Sequence, residues 1–147
     1  MQTEDIIIHY ADDDMDDLAM FKNAVEKSGK PVALNTYNNG DGDFLKNIQS
    51  SKGKKSIVFL DINMPGKSGF EILKEIRSKH SLDDIPVVMY STSNDQTAIN
   101  ISQDIGANLY AVKPRSFSNL KTLINKIMDI DWTHYKCPPQ NFVYNSN

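Results

Sequence analysis

The chain has 147 residues, 39% of them hydrophobic, which is enough for one domain with a real core. A formal net charge of -3 and a pI near 5.5 exclude the clustered basic surface that duplex binding needs, and no apolar run approaches membrane-spanning length, so neither nucleic acid nor a membrane is an expected partner. The single cysteine, Cys137, excludes an internal disulfide framework or a CxxC metal site; with an acidic Met1–Asp5 start that does not read as a signal peptide, this points to the cytoplasm.

In chain order, Ile6 to Ala11 reads as a first strand that ends in Asp12-Asp13-Asp14. A helix follows with Leu18, Phe21 and Val25 on one face, acids in its first turn where the helix dipole favours them, and Gly29 closing it. Val32 to Tyr37 is a second strand, Asn39 to Gly42 is turn chemistry, and Phe44, Leu45 and Ile48 mark a short second helix. The lysine-rich turn Lys52–Lys55 leads into Ile57-Val58-Phe59-Leu60, an unbroken apolar run that reads as a strand buried on both faces, and Asp61 stands where it leaves the sheet. Pro65-Gly66 forces a turn, and Ser68 can cap a helix with Ile72, Leu73 and Ile76 as its buried stripe, running to about His80. Pro86 to Tyr90 is a fourth strand ending in Ser91-Thr92-Ser93. Ala98, Ile101 and Ile105 give the fourth helix its apolar face before Gly106, and Asn108 to Val112 is a fifth strand ending in Lys113-Pro114. Leu120, Leu123, Ile124 and Ile127, at i, i+3, i+4 and i+7, define the last helix.

Strands alternating with helices through short loops predict a parallel sheet of five strands covered on both faces. In such a sheet the carboxyl ends of the strands share one edge, where ligand sites gather. Strand one brings Asp12 and Asp13 there, strand three Asp61, strand four Ser91 and strand five Lys113. Three carboxylates in one cleft raise one another's pKa unless a cation sits among them. An oxygen-only set, with His9, His80 and His134 scattered along the chain, selects Mg²⁺ over zinc. One carboxylate is then free to attack phosphorus, with the Lys113 ammonium and the Ser91 hydroxyl for the phosphoryl oxygens. Each feature alone has a plainer reading: the acids from Asp12 to Asp17 as helix capping, Lys113-Pro114 as a turn. Their joint placement at four strand ends favours chemistry.

These residues, Asp12-Asp13, Asp61-Ile62-Asn63-Met64-Pro65-Gly66, Ser91 and Lys113-Pro114, resemble in identity, order and spacing the receiver domains of two-component response regulators. The resemblance covers residues 5–129 as a receiver domain and leaves 130–147 as a tail without a domain of its own. It implies a flavodoxin-like (βα)5 sandwich of strand order 2-1-3-4-5. It also implies that Asp61 is the phosphoacceptor, charged by a sensor histidine kinase or a histidine phosphotransfer protein in a phosphorelay. Asp12, Asp13, Asp61 and the backbone carbonyl of Asn63 would hold Mg²⁺, Lys113 and Ser91 would bind the phosphoryl group, and Ser91 with Tyr110 would form the switch. On phosphorylation the Ser91 hydroxyl moves inward and Tyr110 swings into the space vacated, remodelling a surface that binds a downstream protein.

The sequence departs from the family pattern in places. Ser91 replaces the commoner threonine, Arg115 adds a charge beside Lys113-Pro114, and Thr92 and Ser93 lie where they can influence access of water to the phosphoryl group. The family also implies a cis Lys113-Pro114 bond. Trp132, Tyr135, Cys137-Pro138-Pro139, Phe142 and Tyr144 of the tail read as covering the domain's own surface rather than as a homodimer or partner contact. No output domain is apparent, so the chain resembles the stand-alone receivers. The competing reading is an enzyme, a Mg²⁺-dependent phosphohydrolase acting through an aspartyl phosphate. Such enzymes carry the nucleophile on the first strand with a second acid two residues on, unlike the Asp61/Asn63 arrangement here. A flavin site on the same fold is disfavoured by the acids after strand one, where a phosphate would sit.

Overall fold

A computed structural model of the chain describes residues 6–40, 43–51, 55–80, 84–132 and 141–147. The elements alternate as β1 (Ile6–Ala11), α1 (Met15–Lys27), β2 (Val32–Tyr37), α2 (Asp43–Ser50), β3 (Ser56–Leu60), α3 (Gly69–Arg77), β4 (Val87–Ser91), α4 (Gln96–Ile105), β5 (Leu109–Val112), α5 (Phe117–Asp129) and β6 (Val143–Tyr144). All strand pairs are parallel, and the order is β2-β1-β3-β4-β5-β6. This is the expected flavodoxin-like α/β sheet with a sixth strand added at the β5 edge.

The period of two along each strand divides the core. Ile6, Ile8 and Tyr10 of β1, Ile57 and Phe59 of β3, and Leu109 and Ala111 of β5 pack with the buried faces of α1 and α5. Ala11, Val58, Leu60, Tyr110 and Val112 face the other way, toward Phe44, Ile72, Leu73, Ile76 and Ile99 of α2, α3 and α4. The central strands are buried throughout because both faces are covered, whereas β2 alternates exposed and half-buried residues at the edge. His9 is buried against the α2 side and is satisfied by the Ser51 hydroxyl at 3.2 Å and the Tyr37 hydroxyl at 3.4 Å.

Three details correct the sequence reading. The stripe of α4 is rotated from the one expected: Ile99 and Ser102 are its buried residues, and Ile101 is exposed. Ser102 can occupy the apolar face because its hydroxyl donates to the Ala98 carbonyl at 2.8 Å. Helix α3 stops at Arg77 rather than near His80, and the Arg77 guanidinium turns back to donate to the carbonyls of Gly106 (2.7 Å) and Ile85 (2.8 Å) and to Asn108 Oδ1 (2.7 Å). The Lys113–Pro114 peptide is trans, contrary to the family-based expectation. Trans is the ordinary preference of an X–Pro bond, and here Asn147 bridges the turn: its Nδ2 donates to the Lys113 carbonyl at 3.0 Å and its Oδ1 accepts from the Arg115 N–H at 2.8 Å.

The described residues of the tail pack on the domain itself. Trp132 joins the α1/α5 core, Phe142 is buried on the opposite side of the sheet, and the Phe142 carbonyl accepts the Tyr110 N–H at 2.9 Å. Tyr135 and Cys137-Pro138-Pro139 lie outside the described residues.

Two measurements probe this packing. Phe142→Ala should lower unfolding stability by about 3–5 kcal/mol in a denaturant titration, the cost of emptying a buried aromatic site. Burial pushes the His9 imidazole down to about 4 from 6.5, so the native state resists a proton that the unfolded chain accepts. Stability should therefore decline as pH falls from 6.5 toward 4, by at most about 1.4 kcal/mol for each pH unit crossed. His9→Asn should flatten that limb of the stability profile.

Candidate functional site

The parallel ladder runs on past the strands and fixes the site residues by their backbones. Asp12 N–H donates to the Tyr37 carbonyl (2.9 Å), Asp61 N–H to Ala11 (3.0 Å) and Lys113 N–H to Ser91 (2.8 Å). Residues from four strand ends thereby meet at one edge. Gly69, the first residue of α3, presses on the same edge, since a Cβ there would lie 2.3 Å from the Asp61 carbonyl oxygen. Ser68 caps that helix by accepting the Glu71 N–H.

Asp12 and Asp61 are buried and Asp13 is exposed, yet each offers an oxygen within 4.8 Å of the others. Asp12 is held on both oxygens. Its Oδ1 accepts the Asp14 N–H at 3.0 Å, and its Oδ2 accepts the Tyr10 hydroxyl and the Lys113 ammonium, the latter at 2.7 Å. Lys113 Nζ also lies 2.7 Å from Asp17 Oδ2 and 3.7 Å from Asp61 Oδ1, and it sits 5.5 Å from the centre of the Tyr90 ring. Burial would depress the Lys113 pKa, but its bonds to Asp12 and Asp17 and the charge of Asp61 outweigh this and raise it. Burial pushes Asp61 up to about 7, Asp12 adds to the rise, and Lys113 offsets part of it.

Ser91 is buried on the fourth strand end, where its Oγ accepts the Ser93 N–H at 3.2 Å. Tyr110 is already inside, fully buried, with its hydroxyl donating to the Ser93 carbonyl at 2.8 Å. The expected inward swing thus has no outward starting point in this conformation. Asn63 is exposed on the loop two residues after Asp61.

The arrangement joins crowded carboxylates, one compact ammonium and a buried hydroxyl at the carboxyl edge of a parallel sheet. A family model described as the response regulator receiver domain matches residues 8–125. The chain belongs to the response regulator receiver family. It is 29% identical over 115 residues to chemotaxis protein CheY-3 of Vibrio cholerae, a match covering 78% of this chain and 88% of that protein. It is 35% identical over 78 residues to response regulator Rcp1 of Synechocystis, covering 53% of this chain and 51% of Rcp1. The phosphorylated cyanobacterial phytochrome response regulator RcpA superposes with a TM-score of 0.71 at 27% identity, covering 88% of this chain and 96% of RcpA. A receiver domain from Rhodospirillum rubrum gives 0.70 at 26% identity, covering 82% and 89% of the two chains. Receivers are signalling phosphoacceptor domains rather than enzymes with turnover of a substrate, and they bind a divalent ion at an acidic pocket.

Two of this receiver's site residues were not singled out from sequence. Tyr10 is two residues before Asp12, so strand alternation puts both on one face, and a hydroxyl there can reach the carboxylate. Asp17, by sequence alone, is a first-turn helix acid and carries no sign of its distant partner.

An ionised Asp61 is disfavoured by its surroundings, and removing its charge should help the fold when no divalent ion is supplied. In a chelating buffer at pH 8, Asp61→Asn should melt above the unsubstituted protein. Because the native carboxyl holds its proton up to about 7 whereas the unfolded one releases it near 3.8, the advantage should grow across that pH interval and level off above it. Equal melting temperatures throughout would contradict the burial and like-charge argument.

Proposed function

We propose that this receiver takes a phosphoryl group on Asp61 from the phosphohistidine of a sensor histidine kinase or a histidine phosphotransfer protein, in the cytoplasm, and passes the signal on by altering its surface toward a downstream protein. The observation that carries the reading is the convergence of Asp12, Asp13 and Asp61 oxygens within 4.8 Å beside a lysine ammonium. A carboxylate oxygen of Asp61 attacks phosphorus, the P–N bond of the donor breaks with its electron pair returning to the ring nitrogen, and the imidazole, already protonated on its other nitrogen, departs neutral. Little covalent work is asked of the protein, so positioning and charge neutralisation dominate. Lys113 faces one phosphoryl oxygen, and the Ser91 hydroxyl can donate to another once it turns toward the group.

The donor set fits a hard divalent cation, since it consists of oxygens from Asp12, Asp13 and Asp61, with the Asn63 carbonyl as the further ligand, and Mg²⁺ takes carboxylates, waters and phosphate oxygens. When bound, the ion neutralises charge on the transferring group. Asp12, fixed by Tyr10 and the Asp14 N–H, is the ligand with the least freedom. In the switch, Tyr110 retains its Ser93 contact while Ser91 moves, and the adjoining surface of α4, β5 and α5 responds. The phosphohydrolase alternative draws no support from the family match, and the site lacks the acid two residues beyond the nucleophile that such enzymes use.

Mass measurement after incubation with acetyl phosphate tests the assignment. One phosphoryl group per chain is expected with Mg²⁺, much less after chelation, and none on Asp61→Asn. Steady release of phosphate from phosphomonoesters, or labelling that persists in Asp61→Asn, would contradict it.

A further inference from the structure

Lys113 forms ion pairs with three carboxylates, and it sits closer to two of them than to the acceptor. Its Nζ lies equally close, 2.7 Å, to Asp12 and Asp17, and a full ångström farther, 3.7 Å, from Asp61. Asp12 is a fixed partner, occupied by Tyr10 and by a backbone N–H. Asp17 is a different kind of partner. It rides on the first turn of α1, where its own N–H and that of Asp16 are accepted by the Asp14 cap, so its backbone is anchored while its side chain remains partly open to solvent.

A first-turn aspartate needs no partner to be favourable, because the helix dipole already stabilises it. Asp16 is such a residue, exposed on the same turn. Asp17 instead reaches across to a lysine that is 9% exposed and whose ammonium is further confined beside the Tyr90 ring. The carboxylate therefore acts on where that charge rests.

We propose that Asp17 is a positioning residue that latches the Lys113 ammonium away from Asp61 and so opposes the phosphorylated state. A phosphoryl group on Asp61 brings added negative charge and acceptor oxygens, and it must draw Lys113 from Asp17 or share it. Removing the Asp17 charge weakens the competing seat and also removes a negative group near the phosphoryl oxygens; both effects favour the phosphorylated protein. The inference rests on Asp61 being the phosphoacceptor, and it adds a residue outside the motif shared with the family.

The test compares the full chain with Asp17→Asn, Asp17→Glu and Asp16→Asn. Each is labelled by acetyl phosphate with Mg²⁺, the phosphorylated fraction and its half-life after donor removal are measured, and the midpoint for beryllofluoride binding is determined separately. Asp17→Asn should hold phosphate longer and bind beryllofluoride at lower concentration, each by roughly three- to fivefold, the range a partly exposed ion pair supplies. Asp17→Glu should return toward the unsubstituted values because it restores a carboxylate. Asp16→Asn changes net charge equally without touching Lys113 and should change neither readout. An Asp17→Asn protein that matches the unsubstituted chain, or shifts no more than Asp16→Asn, overturns the latch while leaving the phosphoacceptor assignment intact. If the unsubstituted protein takes no label on Asp61, both fall.

Discussion

One buried ammonium among crowded carboxylates is the constraint that governs this site. Asp12 and Asp61 are withdrawn from water, and an unpaired charge in such a place is costly. Lys113 offsets that cost through two short ion pairs and one longer one, and its own pKa rises as a result. The balance is incomplete, which is why burial still holds the Asp61 carboxyl up to about 7. A site with more negative than positive charge and only oxygen ligands suits a hard cation and an incoming phosphoryl group together, since each supplies what the other lacks.

The fold makes that concentration of charge tolerable. Backbone hydrogen bonds at the ends of β1, β3 and β5 clamp Asp12, Asp61 and Lys113 in register before any side chain is considered. Beneath them, Tyr10, Phe21, Phe59 and Tyr90 form an aromatic cluster with ring centres 4.4–6.3 Å apart. Its two tyrosines face the site, one donating to Asp12 and the other lying beside the Lys113 ammonium. On the far edge of β5 the tail pairs its backbone with Tyr110 through Phe142 and bridges the Lys113–Arg115 turn through Asn147. The strand that carries Tyr110 and leads into Lys113 is thus supported on both sides.

Much of this was legible in the sequence because it depends on short-range signals. The limits of β1 and β2 followed from apolar runs that stop at acids or turn residues, and the unbroken burial of β3 followed from Ile57-Val58-Phe59-Leu60. What escaped depends on partners distant in sequence. Ser102 concealed the true stripe of α4 because a hydroxyl bonded to its own helix passes as apolar. Asp17 looked like a helix-start acid because its partner is 96 residues away. A two-residue β6 has no period to detect, and the trans state of the Lys113–Pro114 bond, where the resemblance implied cis, depends on nothing that local pattern reveals.

Whether these groups converge on Asp61 to hold a phosphoryl unit can be decided by a crystal structure of the protein with Mg²⁺ and beryllofluoride. We expect the beryllium of the mimic bonded to an Asp61 oxygen, the cation among Asp12, Asp13, Asp61 and the Asn63 carbonyl, and Lys113 Nζ within hydrogen-bonding distance of a fluorine. Beryllofluoride bound elsewhere, or Lys113 still seated between Asp12 and Asp17 with no contact to the fluoride, would rule that convergence out.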